Sequence, residues 1–457
     1  MGTGSSSPKP LATNFGDEAA GRRGPSLGSV LLDGPEGRYR LLLVTPLKIQ
    51  VFDAHNAKAL ELEESVCAAV RSHSPLTSFS TSEASEPGCR EMAVGCQDGT
   101  MLVFQLEAGT ARGPRRTFQI MEEDGRTTES SPAPASLARS VTALHLHAGR
   151  LFACGSNCRC FYWTVSDGEL QREFHLPGGE DQSITASSLV AVAQEAGLQI
   201  WIGLDNGSLA VFEVETGILV RTFTCCGPEM VSALAFCEKT SAVFALSAHK
   251  RVSIWDSKSF TCLQKYPAEL MTCGADLSAM GAFDVPALSL SLLVLAGVDG
   301  SLCLRRITRR SDQKLNCILL WYRGDAGGDM GCPVTTLNFH EATETVSMGD
   351  AGCRVQLQNI REHVLSAADL MQPGLVKRSP EESQPAEGPG EPSPSHSDGP
   401  PLPPPAETPP EASPASQAAG DSMESSNSPQ RAPQETRTRD GYPGESADAA
   451  AFPVFNG

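Results

Sequence analysis

The chain has 457 residues and a formal net charge of −18, with 40% hydrophobic residues and 33 prolines. This length allows two or three ordinary domains or one large all-β domain with tails, and the proline content indicates that part of the chain does not fold. The negative charge argues against nucleic acid as a main ligand. No uninterrupted apolar run of about 18 residues predicts a transmembrane segment.

The N-terminal segment, residues 1–26, is rich in Gly, Ser and Pro and is expected to be disordered. Its start, MGTGSS, fits N-myristoylation of Gly2, and an unmodified flexible start is an equal alternative. One acyl chain gives only weak, reversible membrane contact. The segment lacks a secretory signal, and 15 scattered cysteines do not indicate a disulfide framework. We therefore expect a cytoplasmic protein, with the nucleus or a membrane periphery as alternatives.

A repeated unit follows, made of a short strand, a turn and a second strand that ends near an aromatic residue. Searching for such internal repeats is the most informative step in a chain of this kind. Seven copies are present: Tyr39–Leu60, Glu91–Thr110, Arg150–Leu170, Leu198–Ile218, Ala242–Phe260, Leu292–Ile307 and Thr345–Ile360.

The turn inside the unit contains Asp and Gly, which favour a tight hairpin. Asp98-Gly99 and Asp299-Gly300 predict two-residue turns, whereas Asp205 to Gly207 and Asp350 to Gly352 are one residue longer. Alternating apolar residues in the strand after the turn predict one inward face for each strand.

Further strands flank these pairs. A strand precedes several of them, at Pro75–Ser82, Ser140–Ala148, Met230–Thr240 and Pro333–Thr343. An outer strand follows others, at Leu170–Leu176, Gly217–Cys225 and Phe260–Tyr266. Four strands per unit and seven units predict an all-β, seven-bladed propeller over residues 27–370, with six or eight blades as alternatives.

The unit resembles the WD40 repeat. The resemblance is carried by Trp255-Asp256, by the Asp-Gly turns and by the apolar first strand, at a spacing near the family's ~40–45 residues. The corresponding position is occupied by Phe52-Asp53, Phe104, Trp163 and Phe212. The resemblance also implies that one blade is closed by a strand from the other end of the domain, with Leu11–Asp17 or Val364–Leu370 as candidates.

Two other segments look irregular. Residues 121–139 form a long polar insertion, and residues 371–457 form a Pro/Ser/Glu-rich acidic tail that is expected to be disordered. The tail segment Pro400, Pro401, Leu402 and Pro403 is a candidate ligand for a WW-type domain, and a solvated spacer is the alternative. Five candidate sites for proline-directed phosphorylation precede prolines: Ser379, Ser393, Thr408, Ser413 and Ser428.

No catalytic, cofactor-binding or metal-binding motif is recognised in the sequence. The cysteines of Cys154–Cys160 do not have zinc-site spacing, and His145 and His147 share one strand face without a third ligand. The densest basic segment, Leu304–Arg310, is expected to be a solvated blade edge or a contact for an acidic partner.

The predicted function is that of a non-catalytic scaffold or adaptor, which uses the propeller to assemble other proteins. Two alternatives remain. One is a substrate receptor of a cullin-type ubiquitin ligase, because Trp255-Asp256-Ser257-Lys258 partly matches the Trp-Asp-x-Arg motif of such propellers. The other is a myristoylated membrane-associated adaptor that acts through Gly2.

Overall fold

Seven antiparallel sheets of four strands form a seven-bladed β-propeller, as the sequence predicts. The structure is a computed structural model. It describes residue 11 and residues 14–15, 25–73, 75–83, 90–120, 140–156, 158–177, 184–225, 227–248, 251–271, 276–312, 314–324, 332–361 and 363–364. The insertion at 121–139 and the tail after residue 364 lie outside the described residues.

Blades 1 to 4 follow one another along the chain, each running from its innermost to its outermost strand. Blade 1 consists of β2 Gly28–Asp33, β3 Tyr39–Thr45, β4 Lys48–Asp53 and β5 Ala59–Leu60. Blade 2 consists of β6 Leu76–Glu83, β7 Arg90–Cys96, β8 Thr100–Glu107 and β9 Thr110–Gln119. Blade 3 consists of β10 Val141–His147, β11 Arg150–Gly155, β12 Arg159–Thr164 and β13 Leu170–His175. Blade 4 consists of β14 Ala186–Gln194, β15 Gly197–Leu204, β16 Ser208–Glu213 and β17 Leu219–Thr224.

Blades 5 and 6 repeat this order, and blade 7 combines both ends of the propeller. Blade 5 consists of β18 Val231–Cys237, β19 Ala242–Ser247, β20 Val252–Asp256 and β21 Cys262–Tyr266. Blade 6 consists of β22 Leu277–Val285, β23 Leu290–Gly297, β24 Leu302–Arg309 and β25 Leu315–Arg323. Blade 7 consists of β26 Val334–His340, β27 Thr345–Asp350, β28 Val355–Asn359 and β1 Asn14–Phe15.

The N-terminal candidate strand closes the ring. Asn14 pairs with Gln356 and Phe15 with Val355, so β1 is the outer strand of blade 7. β1 therefore lies within residues 1–26, which the sequence analysis separates from the propeller. A strand of two residues is too short to show a recognisable strand pattern. The inner strand of each blade also contacts the inner strands of both neighbours, including β2 with β26, so the seven blades form a complete circle.

Seven hydrophobic clusters hold the described blades together, one at each boundary between successive blades. In β3, Leu42 and Val44 face blade 2, whereas Leu41 and Leu43 face blade 7. The prediction of a single inward face per strand is therefore wrong. Because each blade is packed between two others, both faces of its central strands are buried. The sequences of these strands are therefore continuous runs of apolar residues.

Six of the seven inner strands contain a β-bulge near their first residue. The extra residue always carries a hydroxyl group: Thr77, Thr142, Ser187, Ser232, Ser278 and Thr335. These hydroxyls donate hydrogen bonds to carbonyl groups of the second strand or of the next blade, as from Ser187 Oγ to the Val231 oxygen at 2.6 Å. The bulge thus places a polar tie where successive blades meet.

Two described α-helices lie outside the strand pattern, α1 Glu64–His73 and α2 Ala268–Met271. Short 3₁₀ turns occur at Pro35–Gly37 and Pro286–Leu288. Helix α1 connects blades 1 and 2 and buries Val66 and Val70 between them. No described helix is long and apolar enough to cross a membrane.

Candidate interaction surfaces

The antiparallel order of the strands creates two different faces of the ring. We call one the hairpin face, because it carries the turns between first and second strands and between third and fourth strands. We call the other the crossover face. It carries the turns between second and third strands and the connections from one blade to the next. Both faces carry turns on a common frame, and sequence can vary there without loss of the core.

The turns predicted from Asp and Gly lie on the crossover face, and all four have the same length. The amide of Gly99 donates to the Cys96 oxygen, that of Gly207 to Leu204 and that of Gly300 to Gly297, at 3.1–3.2 Å. Each glycine has a positive φ angle, between 78° and 83°. These are three-residue turns, so the prediction of two-residue turns at Asp98-Gly99 and Asp299-Gly300 is wrong.

In blade 7 the left-handed residue is Cys353 rather than Gly352. The Cys353 amide donates to the Asp350 oxygen, and Cys353 has a φ of 62°. Asp350 itself is buried and accepts hydrogen bonds from the Gly352 and Arg354 amides. Asp98 and Asp299 accept in the same way from the Thr100 and Ser301 amides, whereas Asp205 instead accepts from Thr185.

The aromatic residues at the Trp-Asp position all lie buried in a third strand: Phe52, Phe104, Trp163, Phe212 and Trp255. The Trp255 ring packs against Phe223 with the ring centroids 4.3 Å apart and the planes tilted by 31°, and Trp255 Nε1 donates to Ser253 Oγ at 2.8 Å. Four of the five following turns are equivalent. The amides of Ala57, Gly168, Gly217 and Phe260 donate to the oxygens of Asp53, Thr164, Glu213 and Asp256.

The Trp-Asp-x-Lys side chains already have partners within the chain. Asp256 accepts a charged hydrogen bond from Arg309 of blade 6 at 2.9 Å. Against the opposing effect of burial, the hydrogen bond from the Ser259 amide, followed by that from Arg309, lowers the pKa of the Asp256 carboxyl. Lys258 Nζ lies 3.1 Å from Glu195 of blade 4. Both charges therefore bridge adjacent blades on the hairpin face.

The basic segment Leu304–Arg310 is divided between separate environments. Arg305 is buried and donates to the main-chain oxygens of Leu270, Met271 and Cys317 at 2.9–3.2 Å. Arg306 and Arg309 line a cleft on the hairpin face, and Arg310 is exposed beside Asp312. The segment is therefore not a uniformly solvated blade edge.

The centre of the ring is a cavity of about 440 Å³, which is lined by residues from all seven blades. His145 and His147 lie in its wall with their rings stacked at 6.3 Å, on one side of β10 as predicted. Burial, with His147 beside it, lowers the pKa of His145 from 6.5 to about 3. Burial and the charge of Arg150 also lower the pKa of His147, against the opposing effect of Glu238.

Cys154 lies opposite Cys160 in the β11–β12 pair, and both are thiols. Burial, followed by the contact with Cys160, raises the pKa of the Cys154 thiol. Within the described residues, no group of three or more His, Cys, Asp or Glu side chains is placed to hold a metal ion.

The remaining candidate sites of the sequence lie outside the described residues. They are the acylation site Gly2, the docking segment Pro400, Pro401, Leu402 and Pro403, and the phosphorylation sites Ser379, Ser393, Thr408, Ser413 and Ser428.

Comparison with known proteins identifies similarity of fold. No protein-family profile matches the sequence. No curated protein matches it either. The structure resembles the crystal structure of BBS1N in complex with ARL6DN, with a TM-score of 0.54 and 12% identity, over 76% of this chain and 95% of that chain. It also resembles the computationally designed protein Ika8, with a TM-score of 0.46 and 14% identity, over 76% and 100% of the two chains.

Proposed function

We propose that this chain is a WD40-like, non-catalytic scaffold or adaptor whose propeller assembles other proteins. The observation that carries the proposal is the closed ring of seven blades, which presents two faces of turns around a common frame. Such a frame fixes the relative positions of many exposed side chains, and this arrangement suits contact with more than one partner.

The frame is reinforced at the boundaries between blades. A hydrophobic cluster lies at each of them, and polar contacts add to several, such as Arg309 with Asp256 and Thr335 Oγ1 with the Ser26 oxygen at 2.7 Å. A surface that is ordered before binding loses little conformational entropy when a partner docks. Because the turns differ from blade to blade while the strands repeat, specificity belongs to the turns.

The WD40-like assignment is supported by the repeated hairpin at the Trp-Asp position. The same hydrogen bond recurs after Asp53, Thr164, Glu213 and Asp256 although the residues differ. The solved structure of similar fold contains BBS1N together with ARL6DN, and we infer the same general use, engagement of a partner protein, for this chain.

Affinity purification from the native cell, followed by mass spectrometry, tests the proposal. The full chain and a version that ends at Leu370 are compared side by side. We expect both to retain at least one stoichiometric partner, because the propeller turns are present in both.

Two results would contradict the proposal in different ways. If neither version retains a stoichiometric partner, the proposed scaffold function is wrong. Loss of all partners from a truncated chain that keeps the β-sheet circular dichroism of the full chain places recognition in the tail. Pro400–Pro403 would then be the first segment to examine as a WW-type ligand.

A further inference from the structure

Strand β25 is more apolar than the other outer strands that have more than two residues. It consists of nine residues, Leu315–Arg323, with no charged side chain before Arg323. In contrast, β9, β13, β17 and β21 each contain a lysine or an arginine in their interior. Charged residues usually protect an exposed edge from pairing with other chains. The sequence of β25 therefore indicates an edge that another segment covers.

The exposed apolar residues of β25 lie on two different faces of blade 6. Ile318 is 36% exposed and Leu319 is 41% exposed. Leu319 pairs with Arg305, whose side chain donates to helix α2 at the boundary with blade 5. Ile318 pairs with Arg306, which pairs in turn with Leu292 of the cluster between blades 6 and 7. Because paired residues of adjacent strands share a face, Leu319 faces blade 5 and Ile318 faces blade 7.

The chain leaves blade 7 beside the Ile318 side of β25. After β28, Ile360 and Val364 are buried in the cluster between blades 6 and 7, against which Trp321 of β25 also packs. The His363 ring stacks on Trp321, with the ring centroids 4.1 Å apart. A segment that follows Val364 therefore begins at the surface on which Ile318 is exposed.

The last described residues form one turn of helix. Residues 361, 363 and 364 are helical, and the Val364 amide donates to the Ile360 oxygen at 3.0 Å. The sequence after this turn, LSAADLM over residues 365–371, lies outside the described residues. It contains no proline or glycine, so a helix can continue through it, and Pro373 sets a limit to that helix. Apolar residues recur every three or four positions on one helix face: Ile360, Val364, Ala367, Ala368 and Met371.

Helix α1 shows how a helix covers a comparable gap in this ring. The outer strand of blade 1, β5, has two residues, and α1 packs against β4 of blade 1 and β9 of blade 2. Helix α1 buries Val66 and Val70, which are four residues apart as Ile360 and Val364 are. The outer strand of blade 7, β1, also has two residues. A helix that follows β28 would meet β28 of blade 7 and β25 of blade 6 in the corresponding way.

We propose that residues 360–371 form an amphipathic helix that docks on the blade 7 side of β25 and covers Ile318. Leu370 follows His363 by about two helical turns, and it therefore faces β25 as His363 does. Because this segment is joined to a residue that is already buried at the surface, it docks without the loss of translational and rotational freedom that a second copy or a partner protein incurs. β25 is then closed to other chains, and the tail leaves the propeller at the rim between blades 6 and 7.

Hydrogen–deuterium exchange of the full chain, followed by mass spectrometry, tests this docking. After correction for intrinsic rates, residues 365–371 should exchange at least about tenfold more slowly than residues 415–424 of the tail, because amides of a docked helix are protected. Ile318→Asp should remove most of this difference, since it places a charge under the helix. Leu319→Asp is the matched control. It introduces the same charge on the face toward blade 5 and should leave the exchange of residues 365–371 unchanged.

Met371→Asp provides a second variant, in case Ile318→Asp impairs folding. It places a charge on the apolar face of the proposed helix and should also accelerate the exchange of residues 365–371. Ser366→Asp lies off that face and is its control. Exchange of residues 365–371 as fast as that of the tail, or equal effects within either pair of variants, would overturn the proposal.

Other occupants of this surface give different results. If a second copy covers β25, sedimentation velocity should show a dimer that Ile318→Asp dissociates, while residues 365–371 exchange as fast as the tail. If a partner protein covers it, β25 should be protected only in a complex purified from the native cell, and residues 365–371 again exchange fast. Either result would overturn the docking of residues 365–371. Neither removes the scaffold function, which depends on the propeller turns.

Discussion

Arg305 and Arg310 have the same side chain in the same basic segment, yet their environments are opposite. Arg305 is buried against three main-chain oxygens, whereas Arg310 is more than half exposed beside Asp312. Sequence alone could not separate them, since their difference depends on helix α2 and on strand β25, which the chain pattern does not place beside β24.

Replacement of Arg305 should therefore be much more harmful than replacement of Arg310. Arg305→Met leaves three oxygens without their donor and should lower the free energy of unfolding by about 2 kcal/mol or more. Arg310→Met should change it by less than about 0.5 kcal/mol. Urea unfolding followed by circular dichroism measures both values. Equal effects would show that Arg305 is not buried as described.

Because of His145, the free energy of unfolding should depend on pH in the acidic range. Its pKa is about 3 in the folded chain and near 6.5 in the unfolded chain, so below pH 6.5 the unfolded chain binds more protons. The contribution of His145 to the free energy of unfolding is fully present above pH 6.5. It should decrease as the pH is lowered toward 3, by up to about 1.4 kcal/mol per pH unit.

Urea unfolding between pH 7 and pH 4.5 tests this dependence. His145→Asn should lose less stability over that range than the native chain does. His175→Asn is the control, because the side chain of His175 is 73% exposed. A native chain and a His145→Asn variant with identical pH dependence would contradict the low pKa of this imidazole in the cavity wall beside His147.

At the scale of elements, the hairpins could be predicted and the ring closure only in part. Each hairpin carries its own turn residues and apolar strands, so local sequence is sufficient to find it. Strand β1 contains two residues and depends on pairing with β28, more than 300 residues away. Helix α1 has only Val66 and Val70 as fully buried apolar residues, too few for a recognisable helical period.

Phe15 should be essential for closure. It is buried against Phe52 at 6.0 Å in the cluster between blades 7 and 1. Phe15→Ala should lower the free energy of unfolding by about 3–5 kcal/mol, the usual cost of truncating a buried aromatic residue. Leu47→Ala, at a 55% exposed turn residue, should have almost no effect. Similar stabilities of the two variants in urea would show that β1 does not close the ring.

At the scale of the whole molecule, the repeat predicted the number of blades, but the polar contacts between blades could not have been predicted. Arg309 of blade 6, for example, meets Asp256 of blade 5, and their approach follows from the packing of successive blades. The continuous apolar runs of the central strands have the same origin. A single strand pattern does not reveal that a sheet is covered on both faces.

Cross-linking mass spectrometry on a complex purified from the native cell tests the central claim, that the propeller turns bind partners, most directly. The lysines report on location. Lys58, Lys239, Lys258 and Lys314 are exposed on the hairpin face, Lys48 lies on the crossover face, and Lys9 and Lys377 lie outside the described residues. We expect the partner to cross-link to lysines of one face. Cross-links confined to Lys9 and Lys377 would contradict the claim.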